Sequence, residues 1–158
     1  MNLPPDGWTR ISSSLYYRDP KAAIAWLCDA FGFEVRLVVE TGEGGIAHSE
    51  LVFGDAVIMV GQAGGDRPYQ QSPRDTGGNT QGLMVYVDDV EAHCQHARAH
   101  GARISDELRV SDYGDEYWSD RSYGATDCEG HRWWFTQRVK TGHPAWSKVR
   151  DKLDRHDG

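Results

Sequence analysis

The feature that most constrains the fold is a repeat: "DPKAAIAWLCDAFG" from Asp19 to Gly32 returns in outline as "DDVEAHCQHARAHG" from Asp88 to Gly101, 69 residues later. Each stretch opens on an acidic residue suited to accept from the free N–H groups of a helix start, and each closes on a glycine suited to a helix stop. In the first, Pro20 sits at the first helical position and Ala23, Ile24, Leu27 and Phe31 form an apolar stripe. A strand-like segment precedes each helix, "RISSSLYY" and "GLMVYV", and three short strand-like segments follow. The chain therefore repeats a βαβββ unit. One helix covers only one face of such a sheet, so a single unit is incomplete. Two units laid edge to edge give a cupped, eight-stranded mixed sheet with helices outside and a concave cleft within, an α+β fold. Function is expected in that cleft.

Module 1 is expected over about residues 9–61 and module 2 over about 81–138. Between them, "GQAGGDRPYQQSPRDTGGNT" has no hydrophobic period and reads as a linker or lid over 62–80. The tail has the pattern of an amphipathic helix over about 143–156, with Trp146, Val149 and Leu153 on one side. A length of 158 residues suits one domain.

A formal net charge of -7 with no basic cluster argues against a nucleic-acid or anionic-membrane partner. No apolar stretch approaches the ~18 residues of a membrane span, and "MNLPPDGWTR" lacks the pattern of a leader, which together point to the cytoplasm. Cys28, Cys94 and Cys128 are widely spaced and odd in number, so they read as small buried thiols.

The ordered set "LYYRDPKAAIAWLCDAFGFE", "HSELVFGDAVIMVG", "GLMVYVDDVEAHCQHARAHGAR" and "WSDRSYGATDCEGHRWWFTQ" resembles the vicinal oxygen chelate superfamily, the glyoxalase, bleomycin resistance and extradiol dioxygenase group. The resemblance spans most of residues 15–137, and Cys128 stands where that group usually has proline. It implies paired βαβββ modules, a homodimer and, in the enzymes, a divalent metal held by His, Gln or Glu on inner strands. The matching positions are Ser12, Ile58 or Met59, Gly82 or Gln81, and Trp134. None but Gln81 offers a good donor, and one neutral amide does not retain a catalytic ion. The scaffold is expected without metal or other cofactor.

Other chemistry-bearing residues have ordinary readings beside functional ones. His93, His96 and His100 share a helix side, but flank a face needed for packing and read as solvated or partly buried. His48 and Glu50 alternate on a strand at the cleft and form a candidate base and acid. His131 reads as an imidazole bonded to its own turn, and Arg121 as either an anion clamp or a surface ion pair. Period two places Ser12, Ser14 and Tyr16, then Met84, Tyr86 and Trp134, on the inner face, with Trp133 and Phe135 turned to the core.

The leading expectation is a metal-free protein that sequesters a small flat compound against this aromatic set, with overall acidity favouring a cation. Two alternatives stand beside it. One is a glyoxalase-like lyase, isomerase or dioxygenase with an atypical or absent metal site; the other is a non-catalytic scaffold whose cleft is filled.

Overall fold

The computed structural model describes residues 2–142, so the helix expected over 143–156 lies outside the described residues. Module 1 consists of β1 (Ser13–Tyr17), α1 (Pro20–Phe31), β2 (Glu34–Glu40), β3 (Ile46–Phe53) and β4 (Ala56–Gln62). A short α2 (Pro73–Thr76) lies in the linker. Module 2 repeats the order with β5 (Gly82–Tyr86), α3 (Val90–Ala99), β6 (Arg103–Asp112), β7 (Trp118–Thr126) and β8 (Arg132–Thr141).

The helix punctuation acts as its chemistry suggests. Asp19 accepts from the Ala22 backbone N–H, Pro20 opens α1, and Gly32 closes it at φ 77°, a conformation costly for a residue with a Cβ. In the second module the cap is Asp89, one residue beyond the aligned Asp88, and α3 has 10 residues against 12 in α1. With Asp89 as the cap, the position matching Ser12 by cap spacing is Gly82 and not Gln81.

The eight strands form two four-stranded mixed sheets, ordered β1-β4-β3-β2 and β5-β8-β7-β6. In each, the first strand pairs parallel with the fourth and the others pair antiparallel. The modules meet through their helices, α1 against α3, and strands of one sheet do not lie against strands of the other. One core results. It joins Leu15, Tyr17, Leu27 and Phe31 of module 1 to Val90, Tyr123, Trp133 and Phe135 of module 2. Phe31 sits at its centre, with ring centroids 5.5 Å from Trp133 and 4.7 Å from Phe135. Both helix-covered faces thus turn inward, and each sheet keeps one open face turned outward.

Polar ties lock the modules at their loops. The Asp127 carboxylate is buried, accepts the Tyr17 hydroxyl at 2.6 Å and Trp133 Nε1 at 3.1 Å, and takes backbone N–H groups of residues 129–131 on its other oxygen. Glu129 accepts the N–H groups of Arg18 and Asp19 and the hydroxyl of Ser72, which also caps α2. The linker is therefore anchored in the middle: its Ser72 is fully buried.

Candidate functional site

On the open face of the second sheet, alternation brings Met84 and Tyr86 of β5 beside Arg132, Trp134, Thr136 and Arg138 of β8. Trp133 and Phe135, one residue out of phase, are fully buried on the other side. Met84 is 60% exposed, Tyr86 49%, and Trp134 half-buried. The two arginines frame these rings. Arg132 lies 4.8 Å from the Trp134 centroid and donates to Asp106 at 2.5 Å. Arg138 lies 4.9 Å from Trp118 and 5.6 Å from Tyr86, donates to Asp120 at 2.5 Å and to the Tyr86 hydroxyl at 2.7 Å. A Cβ at position 124 would come 2.7 Å from Asp106 and 2.9 Å from Arg132, so Gly124 makes room for their ion pair. Desolvation raises Asp106, but hydrogen bonds from Arg132 and Ser105 outweigh it and hold the carboxyl below its ordinary range.

Trp134 and Tyr86 thus each meet a guanidinium over one face, and each guanidinium meets a carboxylate. The net acidity of the chain favours a cation at long range, yet charges beyond about 8 Å are screened at physiological salt, whereas these arginines are within cation–π reach of the rings. A flat ligand here meets a locally neutral, π-rich surface.

On the open face of the first sheet, Tyr16 lies over Gly61, whose missing Cβ would sit 3.2 Å from the ring. His48 Nε2 is 2.9 Å from Glu50 Oε1, and Arg36 donates to Glu50 Oε2 at 2.7 Å. Arg36 in turn lies 4.9 Å from the Trp8 centroid. Hydrogen bonding from His48, helped by Arg36 and opposed by desolvation, keeps the Glu50 carboxyl below its usual range. The linker supplies a wall: Tyr69 meets Tyr16 edge-on at 6.1 Å, and Arg67 donates to the Tyr69 hydroxyl at 3.0 Å. A pocket of about 380 Å³ is lined by Ser14, Tyr16, His48, Met59, Arg67 and Gln70, among others. Ser14 and Tyr16 also line a larger cavity of about 750 Å³ between β1, the linker and the start of β5.

Of the remaining residues singled out by the sequence, Ser12 precedes β1 and shares a hydrogen bond with Thr9 at 3.1 Å. Arg121 stands apart from the rest, on the α3 side of β7, paired with Glu91 at 2.8 Å. His131 bonds the Tyr16 carbonyl of the other module at 3.0 Å, rather than its own turn. His93 and His96 meet the carbonyls of Phe31 and Asp29 at the end of α1, at 3.1 and 2.7 Å, satisfying acceptors that a helix terminus leaves open. His93 is also 2.7 Å from the Tyr123 hydroxyl, and burial pushes its pKa down. His100 turns back to the His96 carbonyl, so the three do not converge.

The positions matching the family's metal ligands do not make a donor set. Ile58 is in the core, Met59 presents a thioether, Gly82 has no side chain, Gln81 donates to Ser13, and Trp134 carries only an N–H. Among the described residues no group of three or more His, Cys, Asp or Glu side chains is placed to hold a metal ion. Arg36, Arg67, Tyr69, Arg132 and Arg138 were missed from sequence; only the last two carried a signal, lying in phase with Trp134 on β8.

A family model described as Glyoxalase/Bleomycin resistance protein/Dioxygenase superfamily matches residues 10–135. Comparison with curated proteins gives no match. Among solved structures, TioX from Micromonospora sp. ML1 is 35% identical, with 82% of this chain and 95% of that chain covered and a TM-score of 0.62. TnmS3, an antibiotic binding protein from Streptomyces sp. CB03234, is 14% identical, with 83% and 97% covered and a TM-score of 0.60. A glyoxalase-related enzyme from Clostridium phytofermentans is 11% identical, with 83% and 95% covered and a TM-score of 0.58. The last two likenesses bear on fold alone.

Proposed function

Since this chain belongs to the glyoxalase/bleomycin resistance protein/dioxygenase superfamily, we propose that it is a metal-free member that captures a small, flat, π-rich compound. The observation that carries this reading is the open face of the second sheet, where Met84, Tyr86 and Trp134 stay accessible inside a neutral Arg–Asp frame. A filled scaffold would bury these side chains. Burying such rings against a ligand gains about 0.5–1.5 kcal/mol per well-placed aromatic contact beyond area alone.

The ligand class is neutral rather than cationic, because a cation stacked on these rings would sit beside the guanidinium groups of Arg132 and Arg138. The working unit is a homodimer. Within one chain the two open faces turn apart, so a closed cleft needs the module 1 face of one copy against the module 2 face of another. The edge strand β2 supports this, with Val35, Leu37 and Val39 between 41% and 50% exposed. The protein acts in the cytoplasm, and among the described residues no helix is long and apolar enough to cross a membrane.

The test is calorimetric titration of wild type and Trp134→Ala with neutral polycyclic arenes, alongside elemental analysis of protein purified without a metal column. Binding weakened several-fold in the variant, with no stoichiometric metal, supports the reading. Stoichiometric zinc, iron, nickel or manganese, or equal binding by both proteins, contradicts it.

A further inference from the structure

We propose that the pocket on the open face of module 1 selects an ionisable hydroxyl on the captured arene, with His48 taking its proton and Arg67 pairing with the resulting oxyanion. This deepens the binding reading above and rests on it.

The argument starts from Glu50. Both its oxygens are engaged, one by Arg36 at 2.7 Å and the other by His48 Nε2 at 2.9 Å. An ionised carboxylate only accepts, so the His48 proton sits on Nε2 and donates to Glu50. That leaves Nδ1 with a lone pair, and among the described residues no donor meets it within hydrogen-bond reach. A carboxylate behind an imidazole fixes its tautomer and ring orientation, the logic of a base held by an orienting acid. Hydrogen bonds from His48 and then Arg36 hold the Glu50 carboxyl below its usual range, so the carboxylate does not itself compete for the proton.

The pocket's other charged group points the same way. Its lining includes His48 and Arg67 and no carboxylate. Arg67 is exposed, and among the described residues its side chain meets the neutral Tyr69 hydroxyl and no carboxylate at ion-pair distance. The charged and titratable groups around His48 are thus Tyr16 of β1 and Arg67 of the linker in the pocket lining, and Glu50 of its own strand with Arg36 of β2 behind it, while the lining residues of β4 add no titratable group. The pocket lining thus carries the Arg67 guanidinium and no carboxylate, in a chain of net charge -7. Tyr16 and Met59 supply the apolar wall for the ring carrying the hydroxyl. In the transfer, the O–H bond breaks, its proton moves to Nδ1, and the electron pair stays on oxygen as the aryl oxide beside Arg67. No electron is exchanged.

The test uses 7-hydroxycoumarin, whose neutral and ionised forms differ in excitation spectrum, and 7-methoxycoumarin, which has no proton to lose. On wild type the ionisation midpoint of bound 7-hydroxycoumarin is expected to fall by about one unit or more, as for an acid placed within about 4–6 Å of opposite charge. His48→Gln and Arg67→Gln should each remove at least half of that shift in the dye that is bound, with 7-methoxycoumarin measuring how each variant alters binding of a ring that has no proton to lose. A midpoint equal to that of the free dye, or an undiminished shift in both variants, overturns the proposal and leaves the capture reading standing. Failure of both coumarins on a protein that binds other flat arenes also overturns it alone. Failure of every flat arene removes the capture reading with it.

Discussion

Two adjacent tyrosines on β1 give a sharp test of how the modules are held. The Tyr17 hydroxyl is fully buried and donates to Asp127 at 2.6 Å across a sequence separation of 110, whereas Tyr16 faces the open side. Burial, with Asp127 beside it, pushes the Tyr17 pKa far up, so it is a proton donor at every working pH. Tyr17→Phe removes one hydrogen bond to a charged acceptor, worth about 1.5–3 kcal/mol. The Asp127 oxygen keeps Trp133 Nε1, so the loss stays near that range instead of adding the full penalty of a stranded buried charge. At about 2–4 °C per kcal/mol for a chain of this size, the melting temperature should fall by about 3–12 °C. Tyr16→Phe should change stability by no more than about 0.5 kcal/mol. Urea unfolding followed by circular dichroism measures both, with the slope m checked for constancy. A Tyr17→Phe loss below about 0.5 kcal/mol, or one matched by Tyr16→Phe, would refute the idea that this bond fastens the modules.

Trp133→Ala should cost about 3–5 kcal/mol in the same assay, because its ring fills the shared core against Phe31 and Phe33. Glu129 responds to acid. Desolvation raises its pKa, but hydrogen bonds from Ser72, Arg18 and Asp19 outweigh this and set it below the usual 4.5. A depressed folded pKa means stability that is present above 4.5 and lost as pH falls through the folded value, so melting temperatures measured from pH 6 downward should drop less steeply in Glu129→Gln than in wild type. Light scattering at micromolar concentration should give twice the 17.7 kDa chain mass; the monomer value throughout would remove the composite cleft.

The modules were legible because their signals are local: capped helices, glycine stops and period-two strands each follow from a few neighbouring residues. The way the modules meet was not. Edge-to-edge packing and helix-to-helix packing bury the same apolar stripes, and only tertiary contacts such as Tyr17–Asp127 and His93–Phe31 separate them. Within the site, Trp134, Tyr86 and Met84 were readable from alternation, and so was the opposite fate of Trp133. Arg121 was not, since its pairing with Glu91 joins β7 to α3 and depends on which face of β7 the helix covers. Arg67 and Tyr69 were invisible for a different reason: a segment rich in Gly and Pro has no period, so nothing in it shows which side chains fold back over β1.

The most direct test of the account is an NMR titration of the tryptophan indole N–H signals with 7-methoxycoumarin. Trp133 and Trp134 are neighbours in sequence but lie on opposite faces of β8, one bonded to Asp127 in the core and one on the open face under Arg132. A saturable shift of the Trp134 signal, with Trp133 unmoved, is the predicted result. A ligand that binds while leaving Trp134 unshifted, or one that moves Trp133 equally, would contradict capture on the open aromatic face.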